Sequence, residues 1–164
     1  MKTEKLITDI TVYENRSELP ADVAMLMDKA FEAARGAYAP YSRFYVGAAI
    51  LLANGEIVTG SNQENSAYPS GLCAERTTAF SASARFPGVA FKKLVIVAIN
   101  PDKPLDRPVP PCGACRQVLM EYEQIAKSPI EVTFAGESGP IYQVKSVRDL
   151  MPFAFSADFI PSKE

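Results

Sequence analysis

Three cysteines and no histidine stand in a chain of 164 residues, and where those thiols fall constrains the fold more than any other feature. Cys112-Gly113-Ala114-Cys115 sets two thiols one helical turn apart at the expected entrance to a helix, and Cys73 stands far upstream at the expected start of another. The reading is that two helix N-termini converge. Their backbone N–H groups and positive dipole ends favour thiolates, the form that binds metal or attacks disulfides. An odd number of cysteines cannot all pair within one chain, and residues 1–15 lack the continuous apolar core of a signal peptide. A reducing cytoplasm is the expected location.

Elements alternate around the thiols. Val23, Leu26 or Met27, Ala30 or Phe31, and Ala34 recur at helical spacing over residues 22–35, with Gly36 as the stop. Residues 44–52 and 56–61 read as a hairpin about the Asn54-Gly55 turn. The spacing predicts a helix over 73–84, a continuous apolar strand over 94–99, and a stiff loop carrying Pro101, Pro104, Pro108, Pro110 and Pro111. A helix over 112–126, strands over 130–135 and 141–145, and a capping box at Ser146 follow. Residues 6–13 offer an imperfect extra strand. The expectation is an α/β protein with residues 20–164 as one catalytic domain and residues 1–19 as an extension of unknown role.

Composition narrows the function. Seventeen Lys plus Arg against 19 Asp plus Glu give a net charge of −2, so no bulk positive field is available to hold a long nucleic acid. No apolar run approaches the ~18 residues of a spanning helix, so no membrane partner is expected. Without histidine, catalysis falls to carboxylates, thiolates, a metal or a cofactor.

Three thiols leave the fourth position of a zinc site open, the arrangement of a catalytic rather than a structural ion. Three thiolates also give such a site a net charge of −1, which Arg76 or the helix N-termini must offset. Glu75, two residues beyond Cys73, stands where a general acid/base is needed; by itself it is an ordinary first-turn glutamate. Two other chemistries fit the thiols. A thiol-disulfide oxidoreductase uses the CxxC pair but leaves Cys73 and Glu75 without a task, and a non-enzymatic zinc module closes the metal with a carboxylate.

The segments Cys73-Ala74-Glu75-Arg76 and Pro111-Cys112-Gly113-Ala114-Cys115-Arg116-Gln117 closely resemble the paired motifs of small, three-cysteine, homotetrameric cytidine deaminases. The resemblance extends in family order through residues 39–44, 46–49, 62–65 and 150–155. Gln63 stands where an apolar residue is common. The resemblance implies a three-layer αβα sandwich with a five-stranded mixed sheet, and Zn2+ on Cys73, Cys112 and Cys115. It implies Glu75 as proton carrier and Arg76 as hydrogen-bond donor to the ligating thiolates. Phe44, Asn62, Glu64, Tyr68 and Ala74 are implied to contact the nucleoside, with Asn62 and Glu64 on the sugar 3′-hydroxyl, and Phe155 to reach a neighbouring subunit's pocket. The implied reaction is hydrolysis of cytidine and deoxycytidine to uridine and deoxyuridine in pyrimidine salvage. A related deaminase of a modified cytosine nucleoside stays open beside it.

Overall fold

In the computed structural model, which describes residues 1–160, the chain runs β1 (Thr11–Tyr13), α1 (Ala21–Arg35), β2 (Tyr45–Leu52), β3 (Ile57–Ser61), α2 (Ala74–Arg85), β4 (Phe91–Ile99), α3 (Gly113–Ala126), β5 (Glu131–Ala135), β6 (Ile141–Val144). Residues 161–164, the end of the expected domain, lie outside the described residues. The strands form one sheet in the order β1-β6-β5-β4-β2-β3. Among the described strands only β4 and β5 pair in parallel. A parallel neighbour requires a long crossover, which the proline-rich loop and α3 supply.

Strand alternation decides the layering. Ala48, Ile50, Leu94, Ile96, Val132 and Phe134 point to one face, where Ala79 and Ala82 of α2 and Leu119 and Met120 of α3 cover them. Ala49, Val95, Val97 and Ala135 point to the other, against Val23, Leu26, Met27, Ala30 and Ala34 of α1. Both faces of β4 are therefore buried, as its unbroken apolar run requires. The αβα sandwich follows. No described helix is long and apolar enough to cross a membrane.

The sheet has six strands, not the five expected. The sixth is β1, whose Thr11, Val12 and Tyr13 pair antiparallel with Gln143, Tyr142 and Ile141 at the edge. Tyr13 Oη donates to Gln143 Oε1 at 3.0 Å, and Gln143 Nε2 donates onward to Thr133 Oγ1 at 3.0 Å. The strand is shorter than residues 6–13 because Leu6, Ile7 and Ile10 remain exposed, with no layer to bury their alternate face. At the other edge of expectation, β4 begins at Phe91 rather than 94. Lys92 and Lys93 interrupt the apolar pattern, yet Lys93 Nζ is satisfied by Asp22 at 2.9 Å and Glu131 at 3.0 Å. The Ser146 capping box is present, with Arg148 N donating to Ser146 Oγ and Ser146 N to Asp149.

Gly47 lets α1 close onto the sheet. A Cβ there would lie 1.9 Å from the carbonyl oxygen of Ala30 and 2.6 Å from Ala34 N, both backbone atoms that cannot yield. Gly47→Ala is expected to cost about 3 kcal/mol, the upper end of overpacking, and to lower Tm by about 10 °C in a thermal melt. An unchanged melt would contradict this packing.

Candidate active site

Cys73 is the N-cap of α2 and Cys112 the N-cap of α3, both with extended backbone and neither using its side chain to cap its helix. The two sulfurs are therefore free to turn toward each other. Their Sγ atoms lie 3.8 Å apart, Cys112 lies 3.5 Å from Cys115, and all three fall within 4.8 Å of one another. Tetrahedral zinc with Zn–S of about 2.3 Å spaces its sulfurs by about 3.8 Å, so this donor set fits that ion. Arg116, one residue past Cys115, donates through Nε to Pro111 O at 2.8 Å and through Nη1 to Leu150 O at 2.9 Å. It thereby fixes the chain entering Cys112.

Charge is managed locally. Arg76 Nη2 lies 3.7 Å from Cys73 Sγ, while its Nε is buried without a partner. The Cys73 thiol is pulled down to about 5, first by the neighbouring Cys115 thiol and, against the opposing effect of burial, by Arg76 and Cys112. Cys115 is pushed up, first by the neighbouring Cys73 sulfur and then by burial. Glu75, only 4% exposed, has its carboxyl raised chiefly by burial, with its own backbone N–H opposing and the Cys73 charge adding. A buried carboxyl that favours its protonated form is suited to carrying a proton.

Cys73, Cys112, Glu75 and Arg76 line a cavity of about 830 Å³, together with Phe44, Asn62, Glu64 and Tyr68. Two backbone straps set the far wall. Gln63 exchanges hydrogen bonds with Leu72 at 2.9 Å in both directions, directly before Cys73, while Tyr38 N donates to Asn62 O and Tyr38 O accepts from Glu64 N. The Asn62 amide is itself oriented, accepting Val46 N at 2.8 Å and donating to Phe44 O at 2.9 Å.

Residues 21–131 match the cytidine and deoxycytidylate deaminase zinc-binding region. The cytidine deaminase of Halalkalibacterium halodurans is 41% identical over 137 residues, covering 84% of this chain and 96% of that one. The cytidine deaminase of Sporosarcina psychrophila is 42% identical over 138 residues, covering 84% and 93%. The chain belongs to the cytidine deaminase family. The crystal structure of the cytidine deaminase from Burkholderia pseudomallei superposes with a TM-score of 0.69 at 40% identity, covering 80% of this chain and 97% of that one. In this member of the family the cofactor is Zn2+, and Cys73, Cys112 and Cys115 form the matching donor cluster.

The other residues singled out in this deaminase's sequence fall in different places. Ala74 and Cys115 are buried beside the cavity rather than lining it, and Phe155 is 59% exposed and stacked on Phe159 away from it. Gln117 Nε2 holds the Phe155 carbonyl at 2.8 Å, tying that segment to the helix of the thiols. Gln63 keeps its polar side chain at the surface and donates to Ser61 Oγ at 3.2 Å. Sequence reasoning gave no role to Tyr41, Ser42, Ile96, Val109 and Pro110, which also line the cavity. Tyr41 and Ser42 were inside the resembling segment. Val109 and Pro110 carried no signal except proximity to Cys112.

Proposed function

We propose that this protein hydrolyses free cytidine and deoxycytidine to uridine and deoxyuridine with release of ammonia, as a homotetramer serving pyrimidine salvage in the cytoplasm. The reading rests on one observation: a three-thiol cluster and a buried carboxyl share a cavity whose other wall presents an oriented amide and carboxylate. Cys73, Cys112 and Cys115 would hold zinc as thiolates, and the ion would supply a Lewis acid able to make water a nucleophile near neutral pH. Glu75 takes the proton of the attacking water, delivers it to N3 of the cytosine as C4 is attacked, and then assists protonation of the departing ammonia. Arg76 tempers the charge of the thiolates. Asn62 and Glu64 hold the sugar 3′-hydroxyl, a group that both donates and accepts. Phe44, Ala74 and Tyr68 surround the nucleoside, and exposed Phe155 reaches into a neighbour's site.

The test is turnover per cytosine across cytidine, deoxycytidine, cytosine base, the 3′-monophosphate and a single-stranded oligonucleotide in one buffer, with particle mass by light scattering. Both nucleosides are expected to be good substrates. The base loses a partner for each of two polar groups, about 1–3 kcal/mol apiece, and falls by at least about tenfold in kcat/KM. An esterified 3′-oxygen cannot donate to Glu64 and brings phosphate toward a carboxylate, while a net charge of −2 attracts no strand. Equal efficiency on base or oligonucleotide would overturn the sugar assignment, and a fully active monomer would overturn the tetramer.

A further inference from the structure

Glu64 is held by a segment to which no function has been given. The backbone N–H groups of Tyr41 and Ser42 donate to Glu64 Oε2 at 2.9 and 3.3 Å, and the Ser42 hydroxyl donates to Glu64 Oε1 at 2.5 Å. Ser42 Oγ also accepts Phe44 N at 3.0 Å. Arg43, between them, has φ +54°, a left-handed conformation that costs a residue with a side chain roughly 1–2 kcal/mol. The turn is thus kept in a shape that aims successive N–H groups at one carboxylate, a backbone nest.

Resting on the assignment of Asn62 and Glu64 to the sugar, we propose that Ser42 is a positioning residue that makes the site selective for a nucleoside with a free 3′-hydroxyl. An ionised carboxylate offers about four lone-pair positions. Three are occupied by Tyr41 N, Ser42 N and Ser42 Oγ, which leaves about one. Asn62 has given one amide hydrogen to Phe44 O and retains the other. One free acceptor beside one free donor is the complement of a single hydroxyl. Without the Ser42 hydroxyl the carboxylate can rotate and present two free positions, which water satisfies as well as a sugar does. The same hydroxyl is the foremost influence holding the Glu64 carboxyl below the usual carboxylate range, so Glu64 enters the complex as a charged acceptor. Because Ser42 also fixes Phe44 N, it ties the sugar wall to the aromatic beside it.

Kinetics of zinc-loaded wild type, Ser42→Ala, Ser42→Thr and Glu64→Gln on cytidine and 3′-deoxycytidine test this. Ser42 is exposed, so Ser42→Ala is expected to keep the wild-type Tm. It should reduce the preference for cytidine over 3′-deoxycytidine by about tenfold, the size of one charge-assisted hydrogen bond. The change should fall on KM, with kcat within about twofold of wild type, and calorimetric binding of uridine should weaken in parallel. Ser42→Thr, which keeps the hydroxyl, should restore the preference. If Glu64→Gln abolishes the preference and Ser42→Ala leaves it intact, Ser42 has no part in selectivity. If neither variant alters it, the sugar assignment itself fails and the inference falls with it.

Discussion

Glu75→Gln is expected to retain its zinc and its fold while losing about a hundredfold or more in kcat. The side chain sits in the first turn of α2, buried beside the thiols and lining the cavity. An amide preserves its shape and packing. It is neutral at every pH, so it removes only a charge that burial already disfavours, and the substitution carries no stability penalty from desolvation. What it cannot do is accept the proton of the attacking water and release it to N3. Zinc should remain bound because Glu75 is not among the three thiols that gather within 4.8 Å. Elemental analysis, a thermal melt and cytidine turnover on the same preparation check the three statements separately. Near-normal turnover with zinc confirmed would remove Glu75 from the chemistry.

The parts of the fold legible in sequence are those carried by local pattern. Helical spacing from Val23 to Ala34, the Asn54-Gly55 turn and the apolar run from Leu94 to Ile99 each express a periodicity that burial then enforces on one or both faces. The convergence of Cys73 with Cys112 and Cys115 was legible for a different reason: unpaired thiols at two helix entrances have few other uses. What escaped was long-range hydrogen bonding. Glu123 resembles any polar helical residue, yet it is buried and accepts from Ile130 N, Val147 N and Ser146 Oγ, tying the end of α3 to β5 and to the capping box. Its partners are two backbone N–H groups and a serine hydroxyl, none of which carries a charge that the sequence would display. Ser42 escaped likewise, because a serine between tyrosine and arginine looks like turn chemistry until Glu64, distant in sequence, is seen across from it. The strand β1 alternates poorly, and what fixes it is pairing with β6 together with the Tyr13–Gln143 contact, neither of which is local in sequence.

Cys112→Ala is expected to abolish zinc binding and turnover together while leaving a folded protein. Cys112 is exposed at the rim of the cluster, and its sulfur is the one that bridges the others, at 3.8 Å from Cys73 and 3.5 Å from Cys115. Removing it leaves two thiols on two different helices, and much of the roughly 10–16 kcal/mol that a complete structural zinc site can supply is lost with the chelate. Affinity in a chelator competition should therefore fall by several orders of magnitude. The fold should survive because both cores are built from aliphatic and aromatic side chains on the two faces of the sheet, and neither includes Cys112. Cys115 is fully buried, so Cys115→Ala adds a packing defect to the loss of metal. The wild-type enzyme should melt at a lower temperature once a chelator strips its zinc, since the thiols that would hold the ion come from the starts of both α2 and α3 and gather only in the folded arrangement. Cys112→Ala protein should melt at the same temperature with or without chelator, which separates loss of the ion from loss of the fold. Full activity in a sample shown by elemental analysis to be free of metal would overturn the zinc assignment, whatever the melting curves show.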